Sequence, residues 1–251
     1  MNPAEFQAST PYGQFGSLAI DAPVDARRTF IRKTYTHLMM AVYVFVALEW
    51  LFFSIGLHEP LMQMLAGHPM YWLIVMGAFI LVNFVADKWA RSATSIGMQY
   101  AGLFLGVVAW SVLFIPLLAI AKLLTLNVEG LGQIGVIPAA GVTTLVMFGG
   151  LTAVAFVTKK DFSFLRSLLG ISIFAAMALI VVSLLFGFHL GIWFSAAMVI
   201  VACGYILYDT SNIIHHYRTD QYVAAALALF ASVALLFWYV VRMFIALSNR
   251  D

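Results

Sequence analysis

The chain has 251 residues, 63% of them hydrophobic and 10% charged, with a formal net charge of +2 and a mean hydropathy of +0.98. A soluble domain could not cover that much apolar side chain with so few charges, so the composition excludes an ordinary soluble protein and fits a polytopic membrane protein. The single cysteine, Cys203, lies in an apolar stretch and excludes an intrachain disulfide.

In chain order, residues 1–28 read as a disordered cytosolic tail, polar and mixed, without the apolar core of a signal peptide. Residues 29–251 read as one transmembrane domain. Arg27, Arg28, Arg32 and Lys33 stand directly before the first apolar run. Runs at roughly 34–56, 70–87, 97–121, 136–157, 167–187, 191–213 and 223–248 mostly approach the ~20 residues that cross ~30 Å of hydrocarbon. They are continuous rather than alternating, which predicts helices. Only Phe188 to Gly191, FHLG, parts the fifth run from the sixth. The two together, about forty residues, are too long for one crossing and predict a tight helical hairpin. Pro116 falls inside the third run and predicts a kink there.

Lys and Arg set the expected orientation. Arg27, Arg28, Arg32, Lys33, Lys88, Arg91, Lys159, Lys160, Arg166 and Arg218 fall on one set of connections, against Lys122 and Arg250 on the other. This bias puts the N-terminus in the cytosol and, with seven spans, the C-terminus outside. Trp50, Trp72, Trp89 and Trp193 fall near the expected interfaces, as aromatic belts do.

An ionisable residue inside a span is a functional candidate. Here these are Glu49, Asp87, Lys122, Asp209 and Arg242. Asp87 and Lys122 sit at helix ends and read as interfacial, their charges reaching the headgroups. Glu49 and Arg242 occupy the outer halves of the first and last spans. Glu49 is expected to pair with Arg242 or with Lys122, either to fix helix packing or to serve transport. Asp209 lies about one turn inside the cytosolic end of the sixth span. Tyr205, Asp209, Asn212 and His216 follow spacings of four, three and four, which places them on one helix face. The stripe is expected to face the bundle interior, as a functional site or as a capping and packing cluster. His215 and His216 point about 100° apart, and no cysteine or acid completes a metal-ligand set. No His-Glu-x-x-His motif, Gly-x-Ser-x-Gly elbow or pair of intramembrane aspartates supports an enzyme, and no cofactor or nucleic-acid partner is expected. The last span has no lysine for a retinal Schiff base.

Ile206 to His216, ILYDTSNIIHH, resembles the sixth-helix signature of the Bax inhibitor-1 (transmembrane Bax inhibitor motif) family. Thr158 to Leu165, TKKDFSFL, resembles that family's loop after the fourth helix, and the last span with its SNRD ending is also similar. The resemblance covers most of residues 30–251 and is nearest to the bacterial YccA-like branch. It implies an all-α bundle of seven transmembrane helices with the last near the centre. In pH-sensing members it implies two aspartates, on helices six and seven, that share a proton and gate a calcium or proton leak. Asp209 matches the first; within LALFASVALLF the second position aligns with Ser232. A lone acid has no like-charged neighbour, which is the physical basis of a shared-proton switch. For the YccA-like branch the resemblance implies a non-enzymatic protein of the bacterial inner membrane. That protein would modulate the membrane protease FtsH, as inhibitor or competing substrate, alone or with its associated membrane regulators. The rival expectation is a pH-sensitive leak of Ca2+ or H+ gated at Asp209.

Overall fold

A computed structural model describes residues 16–93, 95–128 and 132–248. Within them, α1 spans Val24–Ser54, α2 His58–Gly67, α3 Pro69–Ala90, α4 Ile96–Ala121, α5 Val136–Thr158, α6 Leu165–Phe186, α7 Ile192–His215 and α8 Tyr222–Ser248. A short antiparallel hairpin, β1 Thr125–Val128 and β2 Gly132–Gly135, joins α4 to α5, with Leu126 opposite Ile134. Seven of the eight helices, all but α2, are long and apolar enough to cross a membrane.

The α8 helix is the axis. It packs against α7, α1, α4 and α5, and touches α3. Most of its apolar length is buried, and more than half of that of α4, whereas α3 and α6 bury little. Lipid tails are as apolar as Leu, so close helix approach depends on small residues. Accordingly α8 presents Ala224, Ala225, Ala226, Ser232 and Ala234, all buried. Against α3, Gly102 of α4 lies so close that a Cβ there would stand 2.5 Å from the Ala86 carbonyl oxygen and from the Ala90 nitrogen. In the middle, Phe114 stacks on Phe237 at 5.4 Å and meets Phe45 and Trp238 edge-on at 5.1 Å.

Two helix starts are capped by side chains: Ser95 Oγ accepts from the Met98 N–H at 3.2 Å, and His68 Nδ1 from that of Met70 at 3.1 Å. The helical hairpin expected at 188–191 is present. Gly187, left-handed at φ 73°, caps α6, and Ser183 Oγ donates to the Phe188 carbonyl.

Residues 1–15 of the expected disordered tail lie outside the described residues. The boundary at 28 is corrected for the rest. Leu18 bridges Arg218, the Ala19 N–H donates to the Tyr217 carbonyl at 2.8 Å, and Ala19 is fully buried. The α1 helix then begins at Val24, ten residues before the first apolar run. Hydropathy marks only the part of a helix that lies in hydrocarbon, so the charged first turns of α1 escaped it.

Candidate functional site

The sequence places Asp209 on α7 and Ser232 on α8, two helices in extensive contact. Each faces the other. Ser232 Oγ donates to Asp209 Oδ2 at 2.5 Å, with Asp209 8% and Ser232 4% exposed. A carboxylate this deep needs a donor, because an unpaired buried charge is expensive.

Asp209 stands between two cavities. The larger, about 1230 Å3, is framed by α2, α3, α4, α6, α7, α8 and the 187–190 turn. Its lining is almost wholly apolar; its polar members include Tyr205, Asp209 and Ser232 at one end and His189 and Arg242 at the other. The smaller, about 620 Å3, is polar and lies where α7 ends and α8 begins. Asp87, Arg91, Arg166, Asp209, Asn212, His216 and Tyr217 line it. Two acids there face two guanidinium groups. Arg91 Nε donates to both Asp87 oxygens at 2.9 Å, its Nη2 donates to the Tyr217 hydroxyl at 3.4 Å, and its guanidinium lies over the Tyr217 ring at 5.7 Å. Burial pushes the Tyr217 phenol up to about 12, so it stays a neutral hydrogen-bonding group.

The expected stripe therefore divides. Tyr205 reaches the larger cavity, Asn212 and His216 the smaller, and Asp209 both. His216 Nε2 pairs with Asp161 Oδ2 at 3.1 Å rather than with Asp209. Beside it, Ser211 Oγ accepts from the Phe162 N–H at 2.9 Å and donates to the Lys160 carbonyl at 3.3 Å. The loop between α5 and α6 is thus fastened to the end of α7. The Ser163 backbone N–H, and then His216, hold the Asp161 carboxyl below its ordinary 3.8.

The expected outer ion pair is corrected. Glu49 is 7% exposed, and neither of its carboxylate oxygens has a partner among the described residues. Arg242 Nη2 instead donates to the Leu190 carbonyl at 3.4 Å, and Lys122 Nζ lies over the Phe53 ring at 5.5 Å. Asp87, read from sequence as interfacial, shares the smaller cavity with Asp209, and so does Arg91, read from sequence only as part of the charge bias. The available signal was their spacing of four, which puts acid and base together on one helix face.

Seven apolar helices, the last of them central, with a hydrogen-bonded acid between two cavities, define a multi-pass helical membrane protein. The chain belongs to the Bax inhibitor-1 family: the family model described as inhibitor of apoptosis-promoting Bax1 matches residues 27–250. It is 27% identical to a Bax inhibitor 1 of Schizosaccharomyces pombe over 257 positions, covering 100% of this chain and 86% of the relative. A Golgi anti-apoptotic protein of vaccinia virus is 26% identical over 241 positions, 94% of this chain and 92% of the relative. An uncharacterized membrane protein of Vibrio cholerae is 31% identical over 125 positions, 48% of this chain and 53% of the relative.

Proposed function

We propose that the protein is a non-enzymatic, gated leak for small cations, protons or Ca2+, held shut by the Asp209–Ser232 contact. The observation that carries this reading is that Asp209 borders both cavities. Parting α7 from α8 at that point would join the polar cavity to the larger one. A carboxylate accepts a stronger hydrogen bond than a carboxylic acid does. Protonating Asp209 from the polar cavity therefore loosens the contact, and flux rises as the pH falls. Besides Asp209, the charged and titratable groups around that cavity are Asp87, Arg91, Arg166, Tyr208, His216 and Tyr217, so the local field is nearly balanced. The Lys and Arg bias supports placing this cavity on the cytosolic side of a bacterial inner membrane, with the C-terminus outside.

Ser232 favours a second reading. A neutral residue where a second acid would stand leaves no shared-proton pair, as in the YccA-like branch that the sequence resembles. On that reading the chain modulates an FtsH-type protease within the membrane. Purified protein in liposomes loaded with Ca2+- and pH-sensitive dyes separates the two. Flux above that of empty liposomes, rising on acidification, supports the leak. Absence of flux together with co-purification of FtsH from native membranes supports the modulator.

A further inference from the structure

While the Asp209–Ser232 contact is closed, the larger cavity is a poor vessel for water. At about 1230 Å3 it exceeds the ~300–1,000 Å3 usual for small-molecule sites, and apart from its two ends its walls are apolar. Left empty it would forfeit dispersion contacts along every wall. Its flank toward the bilayer is the seam between α3 and α6, two peripheral helices that meet at few points. Trp72 and Met76 line one side of the seam and Ile173 and Met177 the other. At the end away from Asp209 stands Arg242, six residues before the last described residue of α8, Ser248. That is about 9 Å of helix from that end. Arg242 is half-buried, its hydrogen bond runs to a backbone carbonyl, and no carboxylate pairs with it among the described residues.

We propose that this cavity binds an anionic phospholipid of the leaflet on the Arg242 side, its phosphate held by Arg242 and one acyl chain lying between α3 and α6 toward Asp209. The acyl chain gains little by leaving lipid for an apolar wall, so filling the void and the charge on Arg242 supply the preference. Arginine suits the task because its planar fork matches a phosphate in two hydrogen bonds. The site occupies one half of the proposed passage and so rests on the same cavity. Its readout is lipid occupancy rather than ion flux, and either reading can fail without the other.

Tryptophan quenching tests it. Of the six tryptophans, Trp50, Trp89 and Trp193 are exposed on the outside of the bundle and Trp72 lies at the seam. Changing these four to Phe leaves Trp110 and Trp238, both lining the cavity. This protein is placed in nanodiscs of one composition, equal phosphatidylglycerol and phosphatidylcholine, with bromine on the acyl chains of one lipid or of the other. The expected result is about fivefold stronger site occupancy by brominated phosphatidylglycerol, the preference that ~1 kcal/mol from one arginine confers. Arg242→Gln should abolish that preference and Arg242→Lys should keep most of it. Equal quenching by the two labels overturns the proposal, and so does quenching by aqueous iodide with neither lipid effective. If Arg242→Gln fails to fold, the label swap on the chain with Arg242 intact still decides.

Discussion

Asp209 was legible from sequence because a charge inside an apolar run stands out against the cost of burying it. Its partner was legible only through the resemblance, since a serine in an apolar helix carries no such signal. Glu49 and Arg242 show the limit. Which way a side chain faces depends on each helix's rotation about its axis, and two residues at similar depth can point apart. With both Glu49 oxygens unpartnered among the described residues, replacing the carboxylate by an amide removes a desolvation cost rather than a salt bridge. Glu49→Gln should therefore melt in detergent no lower than the native chain. Its effect should add to that of Arg242→Gln within ~0.5 kcal/mol; a rescue in the double variant would restore the ion pair. Ser232→Asp offers a test of the site's sign. Two acids side by side share one proton, because both cannot ionise cheaply. As the pH rises and that proton leaves, like charges push α7 from α8. Flux of this variant should thus rise toward alkaline pH, opposite to the native chain, as read by dye-loaded liposomes at a series of pH values.

At the scale of elements, hydropathy located all seven spans but not their true ends. It missed α2, ten residues long, and the β1–β2 hairpin, both too short to carry a membrane signal. Helix–helix distance was also hidden, although the glycines encode it. A Cβ on Gly102 meets the backbone of α3 at 2.5 Å, whereas one on Gly106 meets the flexible Leu227 Cδ1 at 2.6 Å. Gly102→Ala should cost ~1–3 kcal/mol by prising α3 from α4, and Gly106→Ala distinctly less. Gly141→Ala, whose Cβ would meet no atom of another element within 4 Å among the described residues, is the neutral control in the same melting series. The α5–α6 loop gives an element-scale pH prediction. Asp161 has a folded pKa held below 3.8, so its contribution is present above that value and is lost as pH falls through the depressed one. Hydrogen exchange across residues 159–164, corrected for intrinsic rates, should stay constant down to about pH 4 and accelerate below it. In Asp161→Asn it should already be fast at neutral pH.

Across the whole molecule, the bundle, its seven spans and the central last helix were expected from composition and resemblance, and the structure has them. The two cavities were not, because empty space leaves no mark on a sequence. They turn an isolated acid into a divider between a polar and an apolar space. If that divider is the closed gate, weakening it must raise flux without dissolving the bundle. The decisive measurement is cation flux through Ser232→Ala in liposomes at neutral pH, beside the native chain, with melting in detergent as the control for folding. A hydrogen bond to a charged group contributes ~1.5–3 kcal/mol. Losing it should shift the closed–open balance by about tenfold or more, with flux rising to match while the protein still melts cooperatively. Flux indistinguishable from the native chain, in a folded Ser232→Ala protein, would contradict the gate.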